Sequence, residues 1–207
     1  MAQPSTIPEL NVGRINIVES DGTLRMVISN RDLFPTEMKI GNRVVKRENR
    51  GPGILFFNDD GVECGGLCWS GSSKGEHKRG DMSLTFDQVD QDQVLGLHYS
   101  EDEHGRSYGF DIWDRPDRSL AVDIDEALAV HSMPDGPEKW AALRRLLADC
   151  PRRIFMGKDS KGNAVVELSD SRGRTRIRLM IDKSDTPRIE LLDQNGAVVW
   201  ATPTPAP

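Results

Sequence analysis

Six short segments share one pattern: "ESDG" (19–22), "NDDG" (58–61), "DEHG" (102–105), "DSKG" (159–162), "DSRG" (170–173) and "DQNG" (193–196). Each opens with an acidic residue or Asn and closes with Gly. The first side chain can bond the local backbone of a tight turn, and the Gly tolerates left-handed dihedrals. Segments of alternating apolar and polar residues flank every copy, so each copy predicts a β-hairpin tip. A chain that doubles back this often is restricted to an all-β, antiparallel meander.

Register follows if the first and fourth turn residues face each other. Ile17 then falls opposite Leu24 and Ile15 opposite Met26. Phe57 meets Val62, and Leu55 meets Cys64. Tyr99, Leu97 and Leu95 face Tyr108, Phe110 and Ile112. Phe155 faces Val166, which faces Ile177 on its other side, while Leu191 and Ile189 face Val198 and Trp200. A one-residue slip would put apolar against polar side chains. On the opposite face Glu167 falls across from Arg176. If "DKSDTP" (182–187) closes another hairpin, Arg178 meets Glu190 and Leu179 meets Ile189. Arg174, Arg176 and Arg178 therefore read as a neutralised, solvated face rather than a basic binding stripe.

A two-stranded ribbon cannot bury its apolar face alone. The expected architecture is a single all-β domain over 14–200, closed into a barrel- or prism-like form, with an N-terminal arm (1–13) and a disordered tail (201–207). Sheet edges and Trp-bearing faces need covering, which points to a homo-oligomer. Two segments interrupt the rhythm. Residues 31–53 form a long basic loop carrying Arg31, Lys39, Arg43, Lys46, Arg47 and Arg50, read either as an anion-gathering lid or as an excursion with a small hairpin at "GN". Residues 123–149 form a helical insertion, with Pro137 in a first turn and Trp140, Leu143 and Leu147 along one face.

Charge narrows the function. The 207-residue chain carries a net charge of −6, with a pI near 5.3, so no general positive field draws nucleic acid or an anionic membrane. No apolar run is long enough to span a bilayer, and "MAQPSTIPELNVG" lacks the marks of a signal peptide, giving a cytoplasmic expectation. Cys64 and Cys68 in "CGGLC" lie about 13 Å apart along an extended strand, too far for a disulfide. The four histidines lack zinc spacing, and no nucleotide or nucleophile-elbow motif is present. No cofactor or metal is expected.

The densest polar cluster is "FDQVDQDQ" (86–93). Asp87 and Asp92 are candidate acid–base groups, with His98 as partner because it points away from the apolar set of its strand. Asn58, Glu63, Trp69, Gln91, Trp113, Asp114 and Arg115 are candidate ligand-binding residues. In "GFDIWDRPD" (109–117), Asp111 and Trp113 share one face and Phe110 and Ile112 the other. Trp69 is expected on a polar face, as is Trp113, which implies that this face is covered. "GSSKGEHKRGD" (71–81) reads as a flexible loop with His77 exposed.

The blocks "RINIVESDGTLRMVISN", "GILFFNDDGVECGGL", "LTFDQVDQDQV" and "GFDIWDRPD" resemble those of a family of uncharacterised bacterial all-β proteins, in the same order over about residues 14–117. The resemblance implies no activity. It implies only that Asn58, Glu63, Asp87, Gln91, Asp92, Asp114 and Arg115 belong to shared blocks, and "VECGGLCWSG" departs from it in its cysteines. The expected function is small-molecule binding in a pocket near 58–69 and 86–115. The alternatives are a cofactor-independent acid–base enzyme (isomerase, cyclase or lyase) using an Asp with His98, and a structural oligomerisation module.

Overall fold

Twelve strands hydrogen-bond in sequence order into one antiparallel sheet. The computed structural model describes residues 7–47, 51–74 and 76–202. The sheet strands are β1 (Arg14–Val18), β2 (Leu24–Ser29), β5 (Gly53–Phe57), β6 (Glu63–Ser72), β7 (Arg79–Asp87), β8 (Gln93–Asp102), β9 (Gly105–Trp113), β10 (Arg152–Lys158), β11 (Ala164–Ser169), β12 (Thr175–Ile181), β13 (Pro187–Leu192) and β14 (Val198–Thr202). Between β2 and β5 the chain makes a separate hairpin, β3 (Glu37–Ile40) and β4 (Arg43–Lys46). The small hairpin at "GN" is thus what occupies the long basic loop. Two helices, α1 (Ile124–His131) and α2 (Pro137–Leu146), fill the expected insertion after β9.

The strand order is linear. Among the described residues β1 and β14 stand at its two ends and do not pair, so the expected barrel or prism closure is not formed through the ladder. Arg50 and the end of the "TPTPAP" tail lie outside the described residues. Strands β6 and β7 run into the predicted loop at 71–81, leaving a shorter tip.

All six predicted tips are hairpin tips, but the pairing rule holds only at "DEHG", where Tyr99, Leu97 and Leu95 face Tyr108, Phe110 and Ile112. Elsewhere the partner is displaced. Ile17 meets Met26, Ile15 meets Ile28, Phe57 meets Glu63 and Leu55 meets Gly66. Val166 meets Leu179, Glu167 meets Arg178, Leu191 meets Trp200 and Ile189 meets Thr202. The hairpin closed by "DKSDTP" keeps the expected register, Arg178 opposite Glu190 and Leu179 opposite Ile189.

The cause lies in the turns. At Asn58, Asp159, Asp170, Asp182 and Asp193 the side-chain oxygen accepts from the amides two and four residues on. The first residue's own amide bonds the carbonyl four residues on. This loop holds one residue more than the simple count, and a β-bulge beside the tip commonly adds a second. Two extra residues preserve which face each side chain takes. At "DSKG" only one is added, so Phe155 meets Glu167 and Met156 takes the place opposite Val166.

The pairings align across the sheet into rows. On one face a row runs Val27, Leu55, Gly66, Thr85, Gly96, Asp111, Phe155, Glu167, Arg178, Glu190. We term this the mixed face. Phe34, from the segment before β3, packs on Val27 and Leu55 there. Further along, Arg152 and Arg178 alternate with Asp111, Glu167 and Glu190 at 2.9–3.5 Å. Arg174 and Arg176 bond Asp170, so the arginines are neutralised as expected.

The other face is apolar in successive rows. One runs Ile15, Ile28, Ile54, Leu67, Leu84, Leu97, Phe110, Met156, Val166, Leu179, Ile189. Trp69 belongs to this face, opposite Met82, and not to the polar one, because it shares the side of Leu67. In the insertion, α2 buries Ala142, whereas Trp140 and Leu147 are exposed. Their predicted apolar stripe is therefore not the face that packs.

Candidate functional site

A cleft of about 260 Å³ forms where the tips of β5–β6 and β7–β8 meet the β3–β4 hairpin and α1. Glu63, Asp87, Gln91 and Asp92 line one side; Met38 and Ile40 of β3, and Ile124 and Leu128 of α1, line the other. The second wall is held by a small core of Ile40, Val45 and Ile124. Arg43 clamps it with two bonds to Asp125, 2.9 and 2.6 Å.

Local backbone needs bring the carboxylates together. Gly65 has φ +140°, and a β-carbon there would overlap the carbonyl of Thr85, so only glycine lets β6 approach β7 beside Glu63. The 88–92 turn is tied to the segment before the helices. Gln88 Nε2 donates to the Pro116 carbonyl at 3.2 Å, Gln91 Nε2 to that of Arg118 at 3.1 Å, and the Leu120 amide to that of Asp90 at 2.9 Å. The acidic turn thereby becomes the cleft's floor.

Two guanidiniums balance the carboxylates. Arg47 pairs with Glu63 and lies 5.5 Å from the centre of the Phe34 ring. Arg115, itself nearly buried, donates to the Gln93 carbonyl at 2.7 Å and stands 3.4 Å from Asp92. Asp87 Oδ1 is buried and has no hydrogen-bond partner. Burial, and then the charges of Asp92 and Glu63, push the Asp87 carboxyl up to about 7, against the pull of Arg115 and Arg47. Burial also raises Glu63, opposed by Arg47. Asp87 thus divides between acid and carboxylate near neutral pH and can donate or accept a proton.

The other predicted residues go elsewhere. His98 lies on the mixed face opposite Ser83, four residues from Asp87 along β7, about 13 Å away. It is not brought to Asp87 or Asp92. Its carboxylate neighbour is Asp111, whose raised pKa comes from burial and is opposed by Arg152 and then His98. The His98 ring meets Trp113 edge-on at 5.4 Å, and its Nε2 is buried without a partner. Asn58 spends its side-chain oxygen on its own turn, Asp114 bonds Arg153 at 2.5 Å, and Trp69 stands on the apolar face.

Sequence reasoning missed Arg47 as Glu63's partner, Lys39 and His131 as cleft residues, and the α1 wall. The basic excess of 31–53 was the available signal, but two of its arginines neutralise specific acids instead of gathering free anions. Among the described residues no group of three or more His, Cys, Asp or Glu is arranged to hold a metal ion. Cys64, Cys68 and Cys150 are free thiols, and no described helix is long and apolar enough to cross a membrane. No family model, curated protein or solved structure matches the chain significantly.

Proposed function

We propose that the cleft between the β5–β6 and β7–β8 tips and α1 binds a small organic molecule with a cationic or N–H-donating group and a short apolar body. The observation that carries this reading is the unpartnered, buried oxygen of Asp87 among cleft-lining carboxylates. A bound N–H group would satisfy that oxygen, and an unsatisfied buried acceptor costs about 1–3 kcal/mol. The wall of Met38, Ile40, Ile124 and Leu128 suits an apolar body. At about 260 Å³ the space lies at the small end of ligand pockets, which favours a compact molecule.

Thermal unfolding with benzylamine and benzamidine as probes, at pH 6 and pH 8, tests this. Concentration-dependent stabilisation is expected for the native sequence and should be largely lost in Asp87→Asn. Equal stabilisation of both proteins, or of neither, would overturn the reading. A second reading, acid–base catalysis, is favoured by the near-neutral carboxyl of Asp87. In that case Asp87 would act without His98, and a compound retained from a metabolite mixture would be recovered chemically changed.

A further inference from the structure

The apolar face of the sheet is bare along its whole width. The excursion after β2 and α1 both pack over the mixed face, through Phe34 on Val27 and Leu55, and through the cleft floor. Among the described residues nothing comparable covers the other side. Leu97 and Met156 near its middle are each 53% exposed, and Ile28, Phe86, Leu179, Ile189 and Trp200 are exposed as well.

The extent is that of an interface. Twelve strands at about 4.8 Å spacing give a band about 50 Å wide, and three apolar rows make it about 15 Å tall, roughly 750 Å² in plane. Monomers rarely expose apolar patches beyond about 300–600 Å². Two such bands face to face would remove about 1,500 Å², within the range of stable complexes. Among the described residues only Lys158, at the rim beside Tyr108, brings charge into these rows.

The two halves of the face differ in shape. The first half carries Phe56, Trp69, Phe86 and Tyr99. The second half has Tyr108 and Phe110 beside the boundary and Trp200 at the far edge. Between them it is smaller and aliphatic, with an open hollow of about 720 Å³ lined by Met156, Ala164, Val166, Leu179, Ile181 and Ile189. A two-fold axis parallel to the strands, running between the sheets at the β8/β9 boundary, sets each strand against its mirror place in the order. It puts β6 over the partner's β11. Trp69 then faces Ala164, Leu67 faces Val166 and Gly65 faces Leu168, large against small in the outer rows. Two equally twisted copies pack aligned in this manner in β-sandwiches.

We infer that the apolar face is the interface of a face-to-face homodimer of this chain. The inference is independent of the cleft, which opens on the opposite side of the sheet.

Sedimentation of the full chain should give twice the 23.1 kDa monomer mass. Leu97→Glu and Leu179→Glu should shift it to the monomer while far-ultraviolet circular dichroism stays native. Ala164→Trp should weaken the dimer by filling the hollow without adding charge. In a Trp69→Cys/Ala164→Cys chain the two sites lie five strands apart, about 24 Å, so a thiol cross-link about 10 Å long between these positions forms only between copies. A concentration-independent monomer, a dimer unaffected by these substitutions, or adsorption of the monomer to phosphatidylcholine vesicles would each overturn the inference. If the Glu variants fail to fold, cross-linking the doubly substituted chain with a bis-maleimide about 10 Å long, the spacing of packed sheets, decides it: a covalent dimer joined through positions 69 and 164 supports the interface, and its absence refutes it.

Discussion

The imidazole of His98 lies over Gly96 on its own strand, in the space a β-carbon at 96 would occupy. Gly96 is thus what allows His98 to lie flat and turn its edge to Trp113. Gly96→Ala should destabilise the fold by about 1–3 kcal/mol, the usual range for overpacking, despite the entropic benefit of losing a glycine. The His98→Ala background removes the obstacle, so the double variant should recover most of that loss in urea denaturation. Additive losses would show that the strain lies in the backbone and not under the ring.

Asp87 makes stability depend on pH in a definite direction. Folded, its carboxyl titrates near 7, against an ordinary 3.8. Between those values the native state keeps a proton that the unfolded chain has released. Stability therefore falls as pH rises from about 4 through 7, then levels off. Asp87→Asn mimics the neutral acid. It should match the native sequence near pH 3, below both values, and exceed it by a growing margin from pH 5 to pH 8, read as the difference in melting temperature. Glu63 and Asp111 shift in the same direction, so the difference between the two proteins, not either curve alone, reports Asp87. Parallel curves would rule out the assigned cause.

Hairpins and most face assignments were legible because a turn needs particular residues and a strand alternates its sides; Trp69 and Phe155 fell on the faces opposite to those expected. Asp102 and Gly105 gave the register outright, since they pair directly across a two-residue loop. At Asp170 and Asp193 the same tetrad closes a larger turn, and nothing in four letters distinguishes the two geometries. The amides that decide it belong to the following residues. The cleft was half legible. Glu63, Asp87 and Asp92 stood out as local polarity, but their walls come from 38–40 and 120–131, and only tertiary contacts join those segments. His98 was misassigned to Asp87 and Asp92 because its partner, Asp111, is contributed by the next strand.

The turn at 182–186 offers a stabilising substitution. Asp185 has φ +60°, at the position where the tips closed by Gly61, Gly162, Gly173 and Gly196 carry glycine. A non-glycine residue there costs about 1–2 kcal/mol, less for Asp than for most. The added flexibility of glycine in the unfolded chain offsets part of the gain. Asp185→Gly should raise stability by about 0.5–1 kcal/mol in chemical denaturation, whereas Asp182→Ala, which removes the acceptor of the Ser184 and Thr186 amides, should lower it by more than that gain.

Arg178 stands between Glu167 and Glu190 on the mixed face, bonded to both at 2.9 and 3.1 Å. The two glutamates are 17% and 9% exposed, so neither recovers full hydration when the guanidinium is removed. Arg178→Met should therefore lower stability by about 3 kcal/mol at pH 7, as breaking one side of a buried pair does. Replacing all three members by Leu, Met and Leu should regain most of this loss, since an apolar set of similar volume strands no charge. A triple variant no more stable than Arg178→Met would place the contribution of Arg178 in the packing of its aliphatic stem instead.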